Sequence, residues 1–561
     1  MPHVTKLVGA PGSGKTTKLL EFAEHEAAEH DTGVGQIMFC TFSKSAQQEA
    51  TERFMDVYPD ASEETIEKRV KTVHGTSLVA CLLDGDMELR SHNNLDQPGQ
   101  LVISSGNDRD APYFGWFFKS EFPHVHYDPD ADDPIKRLEE DGEDVEAPAG
   151  NQIIALYNFL KSNNRPLDEF YHTPFYDDLD LAPDVVLDIL EGWEEFKEEN
   201  DLMQHVDYVK KALDDGCQPP TDVLIIDEFQ DLSPLQCELY EMWRDQGGLD
   251  RIYIAGDVHQ AIYGFRGANP SYFRETPADE VIHHEESKRC PERIVDAAVP
   301  VVAPPEEHDV SRVSAWRTGG QVDHVDAGTP DHLGEIVTAA LADHDEVYLL
   351  ARTNRQTGKL AYGLREAGVP YLGLKPDGHL RRWEHPMPML LAALRAIDSG
   401  RNIPVGVAQG LLEHASSSPA REEAKEDAAA DRLRPDSTLS RAFTAEEVGE
   451  WFPNADRARD IVPRLSLPEW RRELLAGALR SGAVNDPGDV RVGTIHAAKG
   501  LEAPCVFVFP AYSQAQLKRF QNGAEAEERR LYYVAMTRAS ASVRVVHDYF
   551  DGQEFPPLEA V

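Results

Sequence analysis

The strand-like run His3 to Val8 leads directly into GAPGSGKTT, Gly9 to Thr17, and then into a segment with helical apolar spacing. A GxxxxGK[ST] loop between a strand and a helix fixes much of a fold, because it needs a parallel sheet behind it and a helix start in front. Gly12 and Gly14 let the backbone approach phosphates closely, and the first N–H groups of the helix supply donors. Lys15 is expected to reach the outer phosphates and the Thr16 hydroxyl to hold Mg²⁺. Gly9, Ala10, Pro11, Gly12, Ser13, Gly14, Lys15, Thr16 and Thr17 therefore form the expected nucleotide cradle. The loop implies a nucleotide and no particular activity, since kinases, switches and motors all use it.

A second run, VLIIDEFQDLSPLQ from Val223 to Gln236, has four apolar residues suited to a strand buried on both faces. It ends in Asp227 and Glu228, where open α/β sheets bind their ligands. One acid could hold Mg²⁺ on a nucleotide phosphate and the other could polarise a water. Its tail, with Gln230, Asp231, Ser233 and Gln236, resembles the Walker B motif DExQD of UvrD/Rep-type superfamily 1 helicases.

Further strings resemble that family in the family's order. TFSKSAQQEATER resembles motif Ia, in which Thr41 and Lys44 would hold the backbone of single-stranded DNA; an ordinary helix cap at Ser43 explains the stretch equally well. His74, within VHGT, falls on a weak TFHS motif. GDVHQAIYGFRGA (Gly256 to Ala268) resembles motif III: Gln260 would sense the terminal phosphate, and Tyr263, Phe265 and Arg266 form a set suited to stacking on bases. Of the two aromatics, Tyr263 is expected to pack in the core and Phe265 to face DNA. EESKRCPERIVDAA is similar to the QNYRS segment and puts Arg289 on the arginine that touches the terminal phosphate. VRVGTIHAAKGLEAPCVFVFP resembles motif V, with Thr494 and His496 toward DNA and Glu502 toward the ribose. EERRLYYVAMTRAS resembles motif VI, with Arg538 as the arginine finger.

The resemblance implies an α/β fold of two RecA-like cores with parallel sheets, each carrying an inserted, mainly helical subdomain. The expected boundaries are 1–76 and 216–284 for the first core and 77–215 for its insertion. The second core is expected at 285–373 and 490–561, with its insertion at 374–489. Asp128 to Gly150 is expected to be a surface insertion and Arg421 to Arg434 a solvated helix. The family also implies ATP and Mg²⁺ bound between the cores, with Lys15, Asp227, Glu228, Gln260, Arg289 and Arg538 catalytic and Thr16 and Asp227 on the metal. Its implied partners are single-stranded DNA and duplex/single-strand junctions, with movement 3′ to 5′. A monomer or weak self-association and repair or replication partners complete that expectation. A protein-stripping translocase and a nucleotide switch or kinase stay open as alternatives.

The expected base site departs from the family. Few residues precede the loop to hold a glutamine motif, Thr17 stands where relatives often have Arg, and Lys288 replaces the base-stacking aromatic. Weak discrimination among triphosphates is therefore expected.

Composition adds three constraints. At 561 residues, three or four domains are expected rather than one core. The chain carries 99 Asp+Glu against 55 Lys+Arg, a net charge of −44, with only 18 Lys beside 37 Arg. Spread over a chain that is 41% hydrophobic, this surplus points to adaptation to molar salt rather than to disorder. Such a charge ordinarily opposes nucleic-acid binding, but at about 1 M salt the Debye length is roughly 3 Å and long-range repulsion is screened. The six cysteines show no CxxC pair, which offers no metal site or disulfide framework and suits reduced core thiols. No signal peptide and no span-length apolar run are apparent, so no membrane partner and a cytoplasmic location are expected.

Overall fold

A computed structural model describes residues 1–29, 34–42, 44–83, 87–92, 99–104, 110–129, 131, 147–173, 175–176, 179–302, 312–374, 383, 386–415, 442–455, 457–480, 486–512, 516–517 and 525–559. The expected helix at Arg421 to Arg434, Ser43, the Lys44 side chain and most of the Asp128 to Gly150 insertion lie outside the described residues. The chain divides into two compact units. One comprises Met1–Gly319 and Ser513–Thr537, and the other Gly320–Tyr512 and Arg538–Ala560. The division thus falls at Gly319/Gly320, later than the boundary expected at 284/285.

The first unit is built on six parallel strands in the spatial order Val70–Thr72, Ile37–Thr41, Val223–Ile226, Arg251–Gly256, His3–Gly9 and Glu280–His284. The apolar run Val223–Ile226 is fully buried, and its side chains alternate between two cores. Leu224 and Ile226 pack with Trp243 and Phe273 on one face, while Val223 and Ile225 pack with Phe39 and Phe54 on the other. That two-sided burial is why the strand lacks polar alternation. His3–Gly9 pairs with a strand almost 250 residues later, with His3 opposite Arg251 and Val8 opposite Gly256. Because every pairing is parallel, Gly9, Thr41, Asp227 and Asp257 all come to the carboxyl edge of the sheet.

The segment between Val73 and Asp215 is mainly helical, with helices Ala111–Glu121, Ala149–Ser162, Pro183–Glu199 and His205–Asp215. It has its own aromatic core, in which Phe114 stacks on Trp193 at 4.9 Å between ring centres. A short parallel pair, Leu101–Ile103 with Leu202–Gln204, closes it, and Trp193 Nε1 donates to Gln204 Oε1 at 2.9 Å.

The second unit is also a six-stranded parallel sheet, ordered Gln321–Asp326, Ala539–His547, Ala503–Val508, Val347–Ala351, Val490–Thr494, Leu372–Gly373. Helices Met387–Asp398, Val405–Glu413 and Glu469–Arg480 from its long insertion bury Leu390, Leu411 and Leu475 in the same core as strand residues Val347 and Val492. The two insertions therefore differ: one owns a core, the other extends that of its sheet. All six cysteines are buried and none is in a disulfide. No described helix is long and apolar enough to cross a membrane.

Candidate nucleotide and nucleic-acid site

The phosphate loop turns on two left-handed glycines, Gly12 at φ +67° and Gly14 at φ +86°. A Cβ on Gly12 would meet Arg289 Cβ at 2.4 Å, so the position excludes any side chain for two independent reasons. Lys15 is buried and its Nζ donates to the carbonyls of Gly9 and Ala10 at 3.0 and 3.1 Å. Helix Lys15–Glu29 begins directly behind it.

The two acids are held differently. Asp227 Oδ2 accepts from the Thr16 hydroxyl at 2.6 Å, and Oδ1 accepts from the Glu228 N–H at 2.9 Å. Burial, and next the Glu228 charge, push the Asp227 carboxyl up to about 6, against the pull of Thr16 and Lys15. A buried carboxylate short of positive charge, hydrogen-bonded to a hydroxyl beside a phosphate loop, fits a hard divalent cation. Among the described residues no group of three or more His, Cys, Asp or Glu could hold a metal. Mg²⁺ suits such a place, because it takes one or two protein oxygens and completes its shell with phosphates and water.

Glu228 has left-handed backbone geometry at φ +53°, unusual for a residue with a side chain. Gln230 Nε2 donates to its carboxylate and, at 3.2 Å, to Asp231 Oδ2. The Asp257 N–H then donates to Gln230 Oε1 at 3.0 Å, and Gln260 Nε2 to Asp257 Oδ2 at 2.8 Å. An unbroken chain Glu228–Gln230–Asp257–Gln260 thus crosses from one strand end to the next. Gly256 permits it, since a Cβ there would sit 2.6 Å from Gln230 Oε1.

Beyond Gln260 the loop carries the aromatic group. Tyr263 stacks on Phe42 at 5.0 Å between ring centres, and the Arg266 guanidinium lies 5.5 Å from the rings of both Tyr263 and Phe265. Phe265 is only 6% exposed, whereas Tyr263 is half-buried, which reverses the burial expected of the pair. Its burial is of a particular kind: Phe265 lines a cavity of about 310 Å³ together with Phe42, His74, Asn158, His205 and Arg266.

His74 is neutral there. The Ser233 N–H donates to Gln236 Oε1 at 2.9 Å, which orients the amide so that its Nε2 faces His74 Nδ1 at 3.1 Å. Nδ1 must therefore accept, leaving the proton on Nε2. Burial, then His205 and Arg266, lower its pKa to about 4.

Sequence reasoning passed over Phe42, although it directly follows the singled-out Thr41. It also passed over Asn158 and His205, which belong to the helical insertion and carry no motif. Thr41 itself is buried. In the second unit Thr494 and His496 are buried at the end of strand Val490–Thr494, and Ala497 N donates to Thr494 Oγ1 at 3.2 Å. Glu502 is exposed. Arg538 is buried and donates to the Leu501 carbonyl at 3.4 Å. Arg289, by contrast, lies in the first unit beside the phosphate loop and donates to the Thr537 carbonyl at 3.3 Å.

Two parallel α/β sheets, one ending in a phosphate loop and paired acids, define a P-loop protein with two RecA-like cores. Residues 1–266 match the AAA domain family, and residues 471–546 match the UvrD-like helicase C-terminal domain. The chain is 27% identical over 342 residues to ATP-dependent DNA helicase UvrD2 of Mycobacterium tuberculosis, spanning 56% of this chain and 46% of the relative. It is 24% identical over 440 residues to ATP-dependent DNA helicase UvrD1 of the same organism (70% and 50%). To ATP-dependent DNA helicase Rep of Escherichia coli it is 30% identical over 188 residues (31% and 27%). These matches support a UvrD/Rep-type superfamily 1 helicase family for the chain. It spans about half the length of the curated relatives it matches.

Proposed function

We propose that this chain is an ATP-dependent DNA helicase or translocase that couples hydrolysis to 3′-to-5′ movement on single-stranded DNA and opens duplex at junctions. The observation that carries the reading is the hydrogen-bond chain from Glu228 to Gln260, whose loop continues within a few residues into the cavity wall at Phe265. A change at the terminal phosphate felt by Gln260 has a covalent route of five residues to the aromatic that would stack on a base.

In this mechanism Lys15 leaves the Gly9 and Ala10 carbonyls to meet the phosphates, and Arg289 adds charge at the same loop. Thr16 and Asp227 would hold Mg²⁺, which supplies charge neutralisation on the phosphate oxygens. Glu228 orients or deprotonates the attacking water. Gln230 and Asp257 hold Glu228 and Gln260 in one network, so neither moves alone. Arg538 is proposed to stabilise the transition state, a part worth roughly 10³–10⁵ in rate, with Glu502 on the ribose. Tyr263, Phe265, Arg266, Phe42 and neutral His74 grip the strand, stacking contributing roughly 1–3 kcal/mol per base. Thr41, Lys44, Thr494 and His496 complete the proposed DNA contacts.

The deciding experiment is the ATPase rate with and without single-stranded DNA in molar KCl. Stimulation of tenfold or more is expected, and indifference to DNA would return the chain to the class of nucleotide switches. A strand-separation assay beside displacement of streptavidin from biotinylated DNA separates an unwinding enzyme from a protein-stripping translocase.

A further inference from the structure

The segment from His284 to Cys290 lies as a strap across the phosphate loop. It is bonded to three consecutive loop residues. Ala10 N–H donates to the His284 carbonyl at 2.9 Å, the Ser287 hydroxyl to the Pro11 carbonyl at 2.6 Å, and Lys288 N–H to the Gly12 carbonyl at 2.9 Å. Ser287 is buried, and its oxygen in turn accepts from Cys290 N–H at 3.0 Å, which fixes the turn of the strap. Two cationic side chains therefore leave the strap at defined points. Arg289 has its Cβ against Gly12, and Lys288 reaches on, so that its Nζ lies 3.9 Å from where a Cβ on Gly14 would stand.

Gly14 heads the helix whose first amides bind anions. Several other lysines of this first unit, Lys18, Lys68, Lys161, Lys210 and Lys211, are paired with carboxylates. Lys288 is instead exposed and set over the loop mouth, outside the cradle that Lys15 fills from within.

We propose that Lys288 is a nucleotide-binding residue that holds the phosphate chain by charge from outside the loop, so that its contribution is the same for every base and larger for triphosphates than for diphosphates. An ammonium offers no ring to stack on and no acceptor with which to read a base edge, and its compact charge is drawn most strongly to the negative phosphates. The inference rests on the nucleotide site proposed above and adds a residue and a selection rule to it.

The test uses the full chain in molar KCl, with equilibrium competition by ATP, GTP, CTP and ADP against a fluorescent triphosphate. Lys288→Ala should weaken ATP, GTP and CTP alike, by about tenfold, the loss of one charge-assisted contact, and ADP by less. Lys288→Arg should recover most of that loss. In steady state KM for ATP should rise while kcat stays within about twofold, and the melting curve should not move. Unchanged triphosphate affinity in Lys288→Ala, or a loss confined to one base, overturns the proposal. Binding that behaves as expected in a protein whose turnover ignores DNA would sink the proposed function and leave this role of Lys288 standing. A wild type that binds no nucleotide would overturn both.

Discussion

Phe265 and Tyr263 lie two residues apart on one loop and do different work. Tyr263 leans on Phe42, a stack that fixes the loop to the end of strand Ile37–Thr41. Phe265 meets Tyr263 edge-on at 6.0 Å between ring centres and turns into the cavity. Phe265→Ala should weaken single-strand affinity by about tenfold, the stacking on one base, and leave nucleotide affinity intact. Titrations with oligonucleotide and nucleotide, read beside a melting curve, decide this. Joint loss of both affinities with a large drop in Tm would make Phe265 a packing residue. Lys15→Ala should do the reverse, abolishing hydrolysis in a chain that still binds single strands, and DNA binding lost along with hydrolysis would refute that separation.

At the scale of elements, the cavity wall depends on ion pairing inside the helical insertion. Lys197 is buried; its Nζ donates to Tyr157 Oη and Asp207 Oδ2, both at 2.6 Å, and lies 3.2 Å from Glu194 Oε2. Three helices meet there, and Asp207 also accepts from the Gln204 N–H at the start of the helix that brings His205 to the cavity. Burial alone pushes the Glu194 carboxyl up, but Lys197 and Lys161 together outweigh it and hold the carboxyl down at about 2. A depressed carboxyl stabilises the fold above its ordinary pKa and loses that contribution as the folded form protonates. Acid unfolding of the wild type should therefore carry a component between about pH 4.5 and 2. Lys197→Ala should cost about 3 kcal/mol near neutrality, because it removes the buried ammonium that Asp207 and Glu194 share and leaves Glu194 with Lys161 alone, and should shrink that acid component. Denaturant melts across this pH range check both; a variant as stable as the wild type would show that the network contributes nothing. A second element-scale link is helix Glu525–Met536, which abuts the aromatic loop. Arg530 Nε donates to the Ala261 carbonyl at 2.7 Å, and the Glu527 carboxylate sits 3.0 Å from a Cβ placed on Gly264.

For the whole molecule the dominant quantity is a net charge of −44. In dilute buffer this charge repels itself and destabilises the compact state until counterions screen it. Counterion release, which drives much DNA binding at low salt, contributes little once bulk salt is molar. DNA-stimulated turnover should therefore have a shallow or rising dependence on KCl between about 0.5 and 3 M. An optimum near 0.1 M with steep loss above it would refute salt adaptation and leave the family assignment untouched. In such a solvent the proposed phosphate contacts would weaken, and the proposed stacking by Phe265 would carry a larger share of the grip than it does in dilute salt.

The local sequence by itself determined the phosphate edge of the first sheet, whereas the second sheet was expected only from the family resemblance. A phosphate loop and a strand buried on both faces are short-range patterns: residues adjacent in the chain must be adjacent in space, and parallel pairing then brings every strand end to the same edge. It also determined the roles open to Lys15, Thr16, Asp227 and Glu228, because a GK[ST] loop and a DE strand end impose their geometry within a few residues. Tertiary structure alone decided which side chains share a cavity. Phe42, Asn158, His205 and Phe265 come from four separate stretches, and only packing of the helical insertion against the sheet brings them together. The same holds for the burial of Phe265, for the proton on Nε2 of His74, and for Lys288 over Gly14. Each depends on a contact between residues more than 150 positions apart, and spacing along a chain carries no signal for those.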